Sequence, residues 1–120
     1  MVEIGAFAEV TLVVGEGDTA IAHGSGDVPV LATPRVLALA EQAAVAALGD
    51  VGEGVTSVGV HAELHHVKAT ALDQAVTARA DVVAVAGRRI SFAFQVSEAG
   101  DTVAHGTHQR VIVDRERFLI

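Results

Sequence analysis

The pattern of hydrophobic and polar positions changes period twice along this chain. From Ala6 to Val14 apolar residues partly alternate with polar ones, which predicts a strand. Gly15 to Asp27 is rich in Gly, Asp and Ser and reads as a loop. Leu31 to Leu48 is then almost unbroken Ala, Val and Leu, with one carboxylate, Glu41, inside it. Thr33 suits the N-cap, Pro34 the first helical position and Gly49 the C-terminal stop, so the spacing predicts a helix over 33–48. Apolar on nearly every side, it should be covered by protein on most sides.

After a turn at Gly49 to Gly54 the period becomes two. Val58, Val60, Ala62, Leu64 and His66 share one face of a strand over 55–66, with Gly59, His61, Glu63 and His65 on the other. A second strand runs from Ala75 to about Ala86 and ends at Gly87-Arg88-Arg89. Ile90, Phe92, Phe94 and Val96 line one face of a third. Glu98-Ala99-Gly100-Asp101 signals a hairpin, and the last strand runs from Thr102 to Val113. Strand, buried helix and then four long strands joined by short turns predict an α+β domain, an antiparallel sheet of about five strands wrapped around one central helix.

Composition narrows the picture. The 120 residues form one domain, 1–120, with no internal repeat or linker. Half the residues are hydrophobic, yet there is no Trp or Tyr and only 4 Phe, so Val, Ala, Leu and Ile build the core. Such a core leaves little margin of stability, which favours an oligomer. A net charge of −7 without a basic stripe argues against nucleic acid. Without cysteine there are no disulfides or thiolate metal sites. No leader pattern opens the chain and no apolar run spans a membrane, so the expected location is cytoplasmic.

Candidate chemistry centres on Glu41, because a carboxylate inside an apolar helix is costly unless paired, hydrogen-bonded or protonated. Either it pairs with Arg35, Arg110 or Lys68, or it acts as a general base or nucleophile. His66 is polar on an apolar strand face and should point towards the helix, as a hydrogen-bonded core residue or a proton carrier. N-capping explains Thr33 fully, although its hydroxyl could instead orient water or a carbonyl. Gly59 either marks a β-bulge or lets the backbone approach a substrate as an oxyanion donor. Arg88, Arg89 and Arg110 are the candidate partners for phosphates. His61, Glu63, His65, His105 and His108 read as a solvated or dimer-facing row, since His61 and His65 lie about 13 Å apart along a strand, too far to share a metal. No metal and no redox cofactor is expected.

The element order, together with Val30-Leu31-Ala32-Thr33, Glu41, the strand from Ser57-Val58-Gly59 to His66, the Gly87-Arg88-Arg89 turn and Gly106-Thr107-His108-Gln109-Arg110, resembles the hotdog fold, specifically thioesterases similar to fluoroacetyl-CoA thioesterase. The resemblance covers the chain from about Val28 to Phe118. It implies a homodimer, or a dimer of dimers, whose sheets join edge to edge with acyl-CoA sites at the interface. It implies that Thr33, Glu41 and His66 act together on the thioester, that Gly59 positions the carbonyl, and that Arg110 matches an arginine of the last strand. Two departures stand out. Gly24 to Asp27 replace the aromatic residues that shape the fluorine-selective pocket, and Ala71-Leu72-Asp73 replace a Pro-Pro-Gly. Hydrolysis can carry over; fluoroacetate specificity should not.

The expected function is therefore hydrolysis of a small or medium acyl-CoA. The alternatives are a non-catalytic acyl-CoA binding or sensing module, or a hotdog hydratase or dehydratase. One geometric constraint follows. Eight residues of helix rise roughly 12 Å, so Thr33 and Glu41 of one chain cannot touch. If both act on one thioester, the site should combine residues of two chains.

Overall fold

The computed structural model describes residues 2–119. Strand β1 (Phe7–Val13) leads through a 3₁₀ turn at Glu16–Asp18 and the four-residue helix α1 (Ala20–His23) to the long helix α2 (Thr33–Leu48). Strands β2 (Val55–His66), β3 (Ala75–Ala86), β4 (Arg89–Glu98) and β5 (Asp101–Asp114) follow, and a short helix α3 (Arg115–Phe118) closes the chain. They form one antiparallel sheet in the order β1-β3-β4-β5-β2. The α+β architecture expected from the pattern, a five-stranded antiparallel sheet against one long helix, is thus present.

The order of strands differs from a simple meander. β3, β4 and β5 are joined by tight turns and pair in sequence, but β2 crosses to the far side of β5 and becomes an edge strand. The loop expected over 15–27 is also more structured than its composition suggested. Thr19 accepts a bond from the Ala22 amide and caps α1, while Asp18 accepts from Arg35 at 2.9 Å and ties this segment to α2.

Helix α2 lies against the concave face of the sheet. Val36, Leu39, Ala40, Ala43, Ala44 and Leu48 are buried with Val76, Val82, Ile90, Phe92 and Val96 from the strands. Small side chains let the helix approach closely, and burying them is the main favourable term. The cover is narrower than expected. Pro34, Gln42, Val45 and Ala46 remain exposed along one stripe, so a single chain does not enclose the helix. Among the described residues no helix is long and apolar enough to cross a membrane.

Gly106 shows how tightly the sheet is built. A Cβ there would collide with the Glu63 carbonyl and come within 2.8 Å of the Phe94 ring. A methyl group at that point would have to displace backbone, so only glycine fits.

Candidate active site

The start of α2 carries the first cluster. The helix N-cap is Ala32, not Thr33, and no side chain caps it. The Thr33 hydroxyl lies instead 2.7 Å from Nδ1 of His66, at the end of β2. The expected N-capping role is therefore corrected: the hydroxyl is engaged with an imidazole. His66 Nε2 is buried and has no hydrogen-bond partner among the described residues. Burial pushes the His66 pKa below its ordinary value, and the Lys68 backbone offsets this only in part. Neutral imidazole with a free second nitrogen can take or give a proton.

This pair opens into a cleft of 340 Å³ between the 25–31 segment and residues 67–69. The 28–32 stretch is fixed by main-chain bonds from Ala20 N to Val30 O at 2.8 Å, Leu31 N to Thr70 O at 2.8 Å and Ala32 N to Asp18 O at 2.9 Å. The cleft wall is therefore braced on both sides.

The middle of α2 carries the second cluster. Glu41 is not enclosed; its side chain is 42% exposed, and Arg110 Nη1 donates to its Oε2 at 3.2 Å. Of the three cations considered as partners, Arg110 is the one in place. Arg110 is 8% exposed and also donates to the Ser57 hydroxyl at 2.9 Å and the Ser57 carbonyl at 3.1 Å. Its expected place at a phosphate is corrected, since its donors face inward. His108, expected in a surface row, is corrected too: it is 2% exposed and stacks on Phe92. Its Nδ1 donates to the His61 carbonyl at 2.7 Å, which leaves Nε2 to accept from Arg110 at 3.2 Å. That tautomer is neutral, and burial lowers its pKa, with the Arg110 charge adding to the effect.

A bulge in β2 brings this cluster together. Pairing with β5 shifts between Gly59, opposite Arg110, and His61, opposite Gln109, leaving Val60 as the extra residue. The alternation changes phase there. Ala62, Leu64 and His66 face the helix as expected, but upstream it is Ser57 and Gly59 that do so, and Val58 and Val60 do not. Gly59 is needed for closeness: a Cβ there would stand 2.6 Å from Glu41 Oε2. Its position beside Glu41, rather than beside Thr33 and His66, is where one chain places it. His61, Glu63 and His65 lie on the outer face, where His65 stacks on His105.

Sequence reasoning missed His108 and Ser57. The signal for His108 was its spacing of two from Arg110, which puts both on one face of β5. Ser57 could be found only once the bulge was known. Arg88 and Arg89 project from the β3–β4 turn and are exposed, as are Arg115 and Arg117 at the same end. Among the described residues these four arginines have no carboxylate partner, whereas Arg35, Lys68, Arg79 and Arg110 each have one.

Comparison with known proteins agrees with this fold. Residues 14–116 match the family FlK, described as fluoroacetyl-CoA-specific thioesterase. The fluoroacetyl-CoA thioesterase of Streptantibioticus cattleyicolor is 34% identical over 92 residues, 74% of this chain and 65% of that enzyme, so the match spans just under two-thirds of the relative. A point variant of FlK, crystallised with fluoroacetate and CoA, superposes with a TM-score of 0.89 at 28% identity, covering 97% of this chain and 98% of the other. A hot-dog-like protein from Thermanaerovibrio acidaminovorans superposes with a TM-score of 0.88 at 26% identity, covering 97% and 87%. By these matches the chain belongs to the fluoroacetyl-CoA-specific thioesterase family, a hotdog family of acyl-CoA thioester hydrolases.

Proposed function

We propose that this protein hydrolyses a small or medium acyl-CoA to the free acid and coenzyme A, at a site formed by two copies of the chain. The observation that carries this reading is the Thr33–His66 pair at the mouth of a cleft, with a neutral imidazole whose second nitrogen is free. Water adds to the thioester carbonyl, the C–S bond breaks, and the thiolate leaves as the thiol. His66 carries the proton. Thr33 fixes the ring through Nδ1 and so acts as a positioning residue. Glu41 activates the water, or attacks first to give an anhydride that water then opens.

Glu41 comes from the partner in this reading. β2 is an edge strand, and such an edge is completed by pairing with its own copy. In an antiparallel pair centred on Glu63, with Val60 left out as the extra residue, His66 of one chain falls opposite Gly59 of the other. Residues directly opposite share a face, and here that is the helix face. The carboxylate over Gly59 then sits beside the partner's Thr33–His66 pair. The exposed stripe of α2 supports the same association. Arg88 and Arg89, on the end of the sheet that holds four unpaired guanidinium groups, are placed to meet the phosphates of the coenzyme, and Gly59 to position the carbonyl. Coenzyme A thioesters are made and used inside cells, which supports a cytoplasmic location for this single domain.

Thiol release from a panel of acyl-CoAs tests the reading, with wild type, Glu41→Ala and His66→Ala side by side. Turnover by the wild type and loss in both folded variants is the expected result. Binding of acyl-CoA without turnover would make the chain a binding module, and turnover that survives both substitutions would overturn the site.

A further inference from the structure

The cleft beside Thr33 and His66 is larger than a two-carbon acyl group requires. An empty apolar cavity of about 150 Å³ is sufficient to hold benzene. At 340 Å³ this cleft is more than twice that size. Ala20, Val28, Val30, Leu31, Val67 and Ala69 give it its apolar walls, and no phenylalanine is among its lining residues. The loop side contributes only Ser25 and Gly26, whose side chains project little into the space. Gly26 lies directly on α1, where a Cβ would be 3.2 Å from that of Ala20, so the loop is packed down and leaves the space open. The polar side chains of the lining are Ser25, Lys68 and the hydrogen-bonded pair Thr33 and His66.

We infer that this cleft is an acyl-chain pocket that selects medium-length aliphatic acyl groups, of about six to eight carbons, over acetyl. The inference rests on the thioesterase reading and specifies its substrate class. With the carbonyl carbon at His66, the alkyl chain runs between Val28, Val30 and Val67. Each buried methylene is worth roughly 0.8 kcal/mol, which converts to about a fourfold gain in kcat/KM per carbon until the space is filled. Ser25 and Ala69 set the width, because both are exposed at the rim and larger side chains there would project into the path.

Two measurements test this. The first is kcat/KM for straight-chain acyl-CoAs from two to twelve carbons, with wild type, Ser25→Phe and Ala69→Leu. The expected profile rises from acetyl to a maximum at six to eight carbons, and both variants, still folded, move the maximum to shorter chains. A profile that is flat or highest at acetyl, or a maximum unmoved in both variants, would overturn the pocket. The second is calorimetric titration with S-alkyl-CoA thioethers, which cannot be hydrolysed. Affinity that rises with alkyl length in wild type and not in the variants upholds the pocket even if no thioester turns over. In that case only the hydrolytic reading fails. Affinity independent of alkyl length, alongside ordinary turnover, refutes the pocket and leaves hydrolysis standing.

Discussion

The two ends of the α2 site differ in how completely their polar atoms are used. At Thr33 and His66 there is one hydrogen bond of 2.7 Å, and the other imidazole nitrogen is buried without a partner. Around Glu41 every neighbour is engaged: Arg110 serves Glu41, Ser57 and His108, and His108 serves a main-chain carbonyl. The first pair leaves one imidazole nitrogen unengaged among the described residues. The second is an anchored network that fixes one carboxylate and leaves it half open to whatever lies beyond the chain. Substitutions should therefore separate chemistry from stability between the two ends.

The largest effect should come from splitting the ends between chains. His66→Ala and Glu41→Ala should each lower kcat/KM by about 10² to 10⁴. Mixed in equal amounts after unfolding and refolding, the two inactive proteins should regain about a quarter of wild-type activity, because half the dimers are mixed and each holds one intact site. No recovery in a mixture shown to contain heterodimers would mean that each chain builds its own site.

Next comes the contrast in stability. Arg110→Met strands Ser57 and His108 and leaves Glu41 without its cation; since Glu41 is partly solvated, the expected loss is about 2 kcal/mol in a denaturant titration. Thr33→Val should cost no more than about 0.5 kcal/mol, because the hydroxyl caps nothing. Activity should nevertheless fall and return in Thr33→Ser, with the pH profile of the valine variant displaced. A Thr33→Val protein destabilised as much as a lost cap would restore the capping role.

Acid should affect both ends in one direction. The folded pKa values of His66 and His108 lie below the ordinary 6.5, so as pH falls the unfolded chain takes up protons first. Their stabilising contribution is whole above about pH 6.5 and is lost as pH falls through the folded values. The thermal midpoint should drop in that window, and His108→Gln should flatten the drop. The smallest effect is expected for Gly59→Ala. The colliding atom is the far end of the flexible Glu41 side chain, so stability should change by less than about 1 kcal/mol while the carboxylate shifts and turnover declines.

Much of this was legible in the residues, for identifiable reasons. Long periodic segments declare themselves, so α2 and all five strands could be found from spacing, and Glu41 was conspicuous as the one carboxylate in an apolar stretch. Pairing order was not legible, because nothing local in β2 says that its neighbour is β5 rather than β3. The role of Thr33 could not be read because capping and hydrogen bonding to a distant histidine require the same hydroxyl. His108 was hidden among surface histidines by composition, although its parity with Arg110 pointed inward. Gly59 did signal a bulge, but the extra residue, and with it the phase change, could not be placed, since Val60 is itself β-favouring.

That extra residue has a consequence for how the chain can change over time. Loss of one codon from the 49–54 turn would shorten a connection and leave every strand residue on its present side. Loss of the codon for Val60 would pair Gly59 and His61 with Arg110 and Gln109 in unbroken succession, so Ser57, Gly59, Leu64 and His66 would all keep the helix face. Val60 should therefore be the one position inside β2 that tolerates deletion, whereas loss of the codon for Leu64 would turn the residues on one side of it to the other face.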